Sequence, residues 1–450
     1  MKIALIGNMN NNNFSIMRYF RDLGADAHLL IYSNDGVGSL SHFTPESDTF
    51  NIEKWQAFIH KTDIENGPSS VLFRMAWWGY YIKSKIDNIF RHEVIGIGVN
   101  SKRYLRSVLS EFDAYIGSGL SPAILKRIDI SLDIFYPYSI GIEFLGSPSF
   151  FLQVSSRGKL SSALHKLIAQ AQEKGIRRAR FCLNAEMSLT KNTFEKIGVK
   201  FLPVAVPMVY NREILGDEDL SQEILKLKFE LQQYDFKVIS HSRLMWINPG
   251  NYTDVQWEQN SKHNDWLINS FAEFNKVRPE TKAILMLLEY GPDVEHAKKL
   301  CGELGINHIV KWLPKCGRRE IMQIIGCCNI GAGEFYTDEG VIWGGTGWEV
   351  LASGKPLIQG FRFKEGAFES TFGYPPPPML PVVDSDCILK HLIDIADHPE
   401  KGETIGSAAA VWFNRYNGIG LAKQWLNLLM LPREVEGVVK KTLRRQGVND

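Results

Sequence analysis

Ile3-Ala4-Leu5-Ile6-Gly7, followed by Asn8, the run Asn10 to Asn13, and then Ile16, Met17, Phe20 and Leu23 at helical spacing, is the stretch on which the fold turns. An unbroken apolar run suits a strand covered on both faces, and a strand, a loop and an amphipathic helix in that order begin an α/β unit. Runs of the same kind recur at Ala114-Tyr115-Ile116, Phe201-Leu202-Pro203-Val204-Ala205, Val238-Ile239, Ile284-Leu285-Met286-Leu287-Leu288 and Pro356-Leu357-Ile358, with helix-sized or loop-sized stretches between them. The chain therefore reads as doubly wound α/β from end to end.

Between Asn211 and Asp235 the composition shifts to charge and glutamine, with Leu220, Leu225, Leu227 and Leu231 preceding a fresh strand at Phe236. This places a first domain over 1–210, a linker helix over 211–235, a second domain over 236–410 and a closing helical segment over 411–450 that is expected to pack back on the first. Domains run to about 100–200 residues, so 450 residues hold more than one core. The 51 Lys and Arg against 50 Asp and Glu leave a net charge of +1, which gives no electrostatic footprint for nucleic acid. Six cysteines without a C-x-x-C spacing read as reduced structural thiols.

The apolar run after Lys2 is too short for a signal peptide, and none approaches the roughly 20 residues of a bilayer span, so a cytoplasmic protein is expected. Residues 71–91 combine Trp77, Trp78, Tyr80 and Tyr81 with Arg74, Lys83, Lys85 and Arg91 at helical spacing. That pattern fits a core helix or one lying on the inner membrane face, and both readings stay open.

The chemistry concentrates in the second half. Val238-Ile239-Ser240-His241-Ser242-Arg243 is a buried strand that delivers an arginine at its C-terminal end, where open α/β sheets bind ligands. Lys262 stands at the start of the next helix, after a long intervening segment, and two cations of this kind suit a diphosphate. Gly344-Gly345-Thr346-Gly347 opens a later helix, and bare amides at a helix start cradle an anion. Thr346 and Glu349 also match a capping box, and from spacing alone capping is the better account of Glu349. The glycines fit neither the G-x-x-x-x-G-K-[ST] loop nor a well-placed G-x-G-x-x-G. In the first half Gly7, Asn8, Asn12, Asn13 and Ser15 offer hydrogen-bonding groups at a strand end, and Gly117-Ser118-Gly119 and Tyr136 to Glu143 form two further candidate walls.

These residues resemble the retaining, family-4-type glycosyltransferases of GT-B fold, two Rossmann-like domains facing across a cleft. Ser242-Arg243-Leu244 followed by Lys262 is similar to the family's diphosphate-holding pair. Val310-Lys311-Trp312-Leu313-Pro314 resembles its base-contacting turn, and Cys328-Asn329-Ile330 the strand before its acidic motif. Trp348-Glu349-Val350-Leu351-Ala352-Ser353-Gly354-Lys355-Pro356 resembles the helix after its second glutamate, which implies that Glu349 binds ribose hydroxyls. The family's spacing puts Val341 at the first glutamate position, so Glu339-Gly340 fits only with two further residues between. Glu334 and Asp338 are its rivals for the sugar hydroxyls.

The resemblance implies transfer of a sugar, of the hexosyl type, from a nucleotide diphosphate sugar to a hydroxyl acceptor with retained configuration, in bacterial cell-surface polysaccharide or glycoconjugate synthesis. The expected site comprises Arg243, Lys262 and Glu339 as catalytic groups and His241, Trp312, Leu313, Glu334, Gly344, Gly345, Thr346 and Glu349 on the donor. Gly7, Asn8, Asn12, Asn13 and Glu143 stand on the acceptor side. No cofactor and no metal are expected, the donor being a co-substrate. A nucleotide-sugar epimerase on the same fold and a non-catalytic nucleotide-sugar-binding protein are the alternatives.

Overall fold

The computed structural model describes residues 1–32, 44–49, 51–62, 102–119, 121–137, 159–183, 188–205, 209–213, 220–250, 253, 257–258, 261–337 and 345–432. The stretch 71–91 and the candidates Glu143, Asp338, Glu339 and Gly344 lie outside them. The chain divides into two compact units: unit 1 is Met1–Pro45, Asn51–Pro207 and Leu421–Asp450, and unit 2 is Glu46–Phe50 and Met208–Gly420.

Unit 1 holds the parallel strands β1 (Lys2–Ile6), β2 (Asp26–Tyr32), β3 (Ile59–Thr62), β4 (Ala114–Gly117), β5 (Ile134–Phe135) and β6 (Phe181–Cys182), in the order β3-β2-β1-β4-β5-β6. Unit 2 holds β7 (Phe236–Ser240), β8 (Ala283–Leu288), β9 (Val310–Leu313), β10 (Ile330–Ala332), β11 (Leu357–Gly360) and β12 (Leu380–Val382), in the order β12-β11-β10-β7-β8-β9. Each sheet reverses its winding once, between β1 and β4 in unit 1 and between β7 and β10 in unit 2. Both units are thus doubly wound and Rossmann-like.

The apolar runs form central strands because both of their faces are covered. All six residues of β8 are buried. Ile284, Met286 and Leu288 join one cluster with Ile239, while Leu285 and Leu287 join another with Val238. Side chains of a strand alternate between faces, so a continuous run is what two covered faces require. Each large apolar side chain so placed contributes about 1.5–3 kcal/mol.

The run at 201–205 is different: Leu202 makes an isolated bridge to Leu183, and residues 203–205 form no strand. Pro203 has no N–H to give a ladder. Leu225, Leu227 and Leu231 belong to α1 (Gln222–Leu231), which Leu220 precedes; Leu220, Ile224, Leu227 and Leu231 are buried in the core of unit 2, with Ser221 accepting from the Ile224 amide at 3.3 Å. Helix Ile419–Met430 packs in unit 1, where Trp425 is fully buried against Tyr136 and donates to the Ala205 carbonyl at 3.1 Å. All six cysteines are free. Among the described residues no helix is long and apolar enough to cross a membrane.

Candidate functional site

The winding of unit 2 reverses between β7 and β10, and the loops leaving the C-terminal ends of those two strands carry most of the donor-side candidates. This is the crevice position at which open α/β sheets bind ligands. Strand β7 ends at Ser240 and delivers His241, Ser242 and Arg243.

The backbone around Arg243 is fixed on both sides. Asn264, the first residue of α2 (Asn264–Val277), donates through Nδ2 to Ser242 Oγ at 2.7 Å and accepts through Oδ1 from the Met245 amide at 2.9 Å. The Leu244 amide donates to the Tyr290 carbonyl at 2.7 Å. Gly291, at φ +127°, packs so closely that a Cβ there would lie 2.2 Å from the Leu244 carbonyl oxygen, so only glycine fits. The guanidinium itself is exposed, with the Met245 sulfur at 3.3 Å from Nη2 as its contact. A rigid backbone thus presents a cation that no carboxylate among the described residues neutralises.

The long segment between Arg243 and Lys262 does not carry the two apart. Asp293 Oδ2 accepts from the Trp246 and Ile247 amides at 2.6 and 2.9 Å, and Trp257 Nε1 donates to the Trp246 carbonyl at 2.8 Å. The Lys262 amide then donates to the Met245 carbonyl at 2.9 Å, closing the segment into a loop whose ends are adjacent. Lys262 lies two residues before α2 rather than within it.

The Lys262 ammonium is buried and ion-paired with the buried Glu334 carboxylate. Glu334 follows β10 and is clamped through its main chain. Its amide donates to Gln359 Oε1 at 3.1 Å, and its carbonyl accepts from Gln359 Nε2 at 2.6 Å and from the Gly360 amide at 2.9 Å. A Cβ at the preceding Gly333 would lie 1.8 Å from Gln359 Oε1, which explains that glycine. Tyr336 completes the group: burial, reinforced by the charge of Glu334 and a hydrogen bond to it, pushes its phenol well above the usual range, against the pull of nearby Arg243.

Helix α3 (Arg318–Gly326) precedes β10, and α4 (Gly345–Ala352) follows it. Glu349, one turn into α4, does not turn back to cap the helix as its spacing with Thr346 predicts. Its Oε1 accepts from Arg318 Nε at 2.6 Å, and its Oε2 pairs with His241 Nε2 at 2.7 Å. Burial would raise this carboxyl, but the Arg318 charge and the His241 hydrogen bond outweigh it and hold Glu349 at about 2. A charged partner brought in by the tertiary fold has outcompeted a local amide.

Two polar atoms beside the start of α4, His241 Nδ1 and Thr346 Oγ1, are buried without a hydrogen-bond partner. Such atoms cost about 1–3 kcal/mol each when left unsatisfied. The Thr346 hydroxyl and the first amides of α4 can donate to an oxyanion, and His241 Nδ1 can meet a hydroxyl beside it.

The other candidates stand elsewhere. Trp312 and Leu313 lie on β9, separated from β7 by β8; Leu313 is a core residue, and Trp312 has the Lys298 ammonium 5.6 Å from its ring centre. In unit 1, Gly7 takes φ +80° after β1, and Asn8 accepts from the Phe14 amide through Oδ1 at 3.0 Å. Asn13 donates to the carbonyls of Ile6 and Gly7 at 3.0 and 2.7 Å and accepts from Tyr136 Oη at 2.7 Å. Asn12 is fully buried with both side-chain polar atoms unpartnered.

Asp48, Arg318, Gln359 and Tyr336 were not among the sequence candidates. Arg318 had a faint signal, as a cation opening a helix just after a strand and Gly317. The other three come to the site only through tertiary packing. Among the described residues no group of three His, Cys, Asp or Glu side chains is arranged to hold a metal ion.

No protein-family model matches the chain, and no curated protein does. Solved structures do. HepE of Anabaena, in complex with UDP, is 16% identical over 96% of this chain and 100% of its own, with a TM-score of 0.57. Sucrose-phosphate synthase of Thermosynechococcus elongatus is 11% identical over 95% of this chain and 98% of its own, with a TM-score of 0.52. UDP-GlcNAc 2-epimerase of Neisseria meningitidis, bound to UDP-GlcNAc, is 12% identical over 96% and 100%, with a TM-score of 0.50. At these identities the likeness is one of fold, and the fold of this chain is the two-domain α/β architecture called GT-B.

Proposed function

We propose that the chain is a retaining glycosyltransferase of the hexosyl type that moves a sugar from a nucleoside-diphosphate sugar to a hydroxyl acceptor, in the synthesis of a cell-surface polysaccharide or glycoconjugate. The observation that carries this reading is Arg243. It is an exposed guanidinium, paired with no carboxylate among the described residues, on a rigid strand end at the winding reversal of unit 2, beside a helix start with two unpartnered polar atoms. The GT-B fold shared with proteins solved in complex with UDP and with UDP-glucose supports the same ligand class.

In this reading the charge that builds on the departing diphosphate is met by Arg243 and by the amides opening α4, groups already fixed before reaction. Lys262 pairs with Glu334 and orients it, and Glu334 accepts from a hydroxyl of the donor sugar. A phosphate oxygen of the leaving group takes the acceptor proton, so no side-chain base is assigned. Because fixed protein cations supply the positive charge, transfer is expected to survive excess EDTA.

The test is a panel of nucleotide sugars with and without hydroxyl acceptors, products read by NMR. Transfer with retained anomeric configuration is the expected result. The epimerase of like fold gives the second reading, and an epimerised donor formed without acceptor would favour it. Activity lost in EDTA and restored by magnesium or manganese would overturn the assignment of charge to Arg243.

A further inference from the structure

A line of buried charged groups runs from residues 46–50 of unit 2 to His241. Asp48 Oδ1 meets Arg318 Nη1 at 2.6 Å, Arg318 Nε meets Glu349 Oε1 at 2.6 Å, and Glu349 Oε2 meets His241 Nε2 at 2.7 Å. The side chains of Asp48, Arg318, Glu349 and His241 are 1%, 7%, 9% and 2% exposed. The segment is seated by its backbone as well. Arg319 Nη1 donates to the Thr49 carbonyl at 2.9 Å, and a Cβ on Gly317 would lie 2.6 Å from the Ser47 carbonyl oxygen.

The line ends on an unfinished group. Glu349 is held ionised, so His241 Nε2 donates to it, and that bond fixes the orientation of the whole ring. The second ring nitrogen, Nδ1, is buried with no partner, one strand end away from the exposed Arg243. A buried polar atom held in place by two successive ion pairs and a hydrogen bond, and left without a bond of its own, is a group prepared for a ligand atom.

We propose that Asp48 is a positioning residue for the nucleotide. It fixes Arg318, which fixes Glu349, which turns His241 so that Nδ1 meets the bound nucleoside diphosphate. This rests on the nucleotide-sugar reading above and deepens it, since it gives a residue from the first 50 of the chain a part in donor binding. Arginine suits the middle of the line because its planar fork serves two carboxylates at once, which an ammonium does not.

The experiment is a double-mutant cycle in the full chain, read as nucleoside-diphosphate affinity by calorimetry alongside the melting temperature. UDP, GDP, ADP, CDP and dTDP are tried on the wild type first; if none binds, the nucleotide-sugar reading falls and this inference falls with it. With a bound nucleotide in hand, Asp48→Asn and His241→Ala are each expected to weaken it about tenfold, and Asp48→Asn to add less than about twofold in the His241→Ala background. Arg318→Lys, which keeps the charge and loses the fork, is expected to behave as Asp48→Asn does and serves if that variant does not fold. Folded Asp48→Asn or Arg318→Lys protein with wild-type affinity, or losses that multiply in the double variant, would overturn the proposal and leave Asp48 a purely structural role.

Discussion

The two units carry the same kind of sheet and place a loop at the same topological point, yet the loops use their polar groups in opposite ways. After β1, the amides of Asn8 and Asn13 are spent on the Phe14 amide, the Ile6 and Gly7 carbonyls and Tyr136. After β7, the backbone is held just as firmly by Asn264 and Gly291, but the Arg243 head is left exposed and His241 Nδ1 unpartnered. The first loop spends Asn8 and Asn13 on its own structure and leaves over the neutral amide of Asn12; the second leaves over a guanidinium and an imidazole nitrogen. Capacity to bind thus resides in which groups a loop leaves over, not in the fold that places it.

The contrast is broken most severely at Lys262. Lys262→Met leaves Glu334 buried without its counter-charge, and stability is expected to fall by about 3–5 kcal/mol in denaturant melts. Lys262→Met with Glu334→Gln removes both charges and should recover most of that loss while nucleotide-sugar turnover stays low. If the double variant melts as early as the single one, the pair is not what holds this corner of the site.

Arg243→Ala separates function from stability. Turnover is expected to drop by about a hundredfold or more while the melting temperature stays put, because the guanidinium is exposed and pairs with no carboxylate among the described residues. Arg243→Lys should recover only part of the rate, lacking the fork that matches a phosphate. The mirror experiment is Asn13→Ala in unit 1, where three hydrogen bonds are lost and stability should fall by about 1–3 kcal/mol. Nucleotide affinity should not change; if it does, Asn13 is not confined to the structural role its bonds indicate.

The same contrast sets what was legible in the sequence. Central strands such as β1 and β8 announce themselves because two covered faces demand an unbroken apolar run. Short strands such as β5, β6 and β12 have two or three residues each and no pattern to read. The run at 201–205 looked like a strand by composition and is not one, because apolar content does not replace a missing N–H at Pro203. At the site, Arg243 and Lys262 could be paired through spacing and family resemblance. What surrounds them could not: Asp48 reaches Arg318 across 270 residues, and Gln359 reaches Glu334 from a neighbouring strand. Long-range partners leave no local signal, and the capping account of Glu349 failed for that reason.

The smallest effect expected is one of pH, and it divides the units again. In unit 1, His28 Nδ1 lies 2.9 Å from His60 Nε2, and His28 Nε2 lies 3.0 Å from Asp26 Oδ1, with Lys2, Arg21 and Glu111 as the other charged groups around the pair. Burial pulls both imidazoles below their ordinary 6.5, helped for His60 by repulsion from His28 and opposed for His28 by Asp26. The unfolded chain therefore binds more protons than the folded one just below pH 6.5, and stability must fall as pH falls through that range. In unit 2, Glu349 is also lowered, from 4.5 to about 2, but because its charged form is favoured, so its contribution is intact above 4.5 and is lost only as pH falls toward 2. Mild acid should consequently loosen unit 1 first. Melting curves between pH 7.5 and 5.5 should show a falling melting temperature in the wild type and a flatter one in His28→Gln, His60→Gln protein. Equal slopes in the two proteins would mean that the histidine pair does not set the acid sensitivity of unit 1.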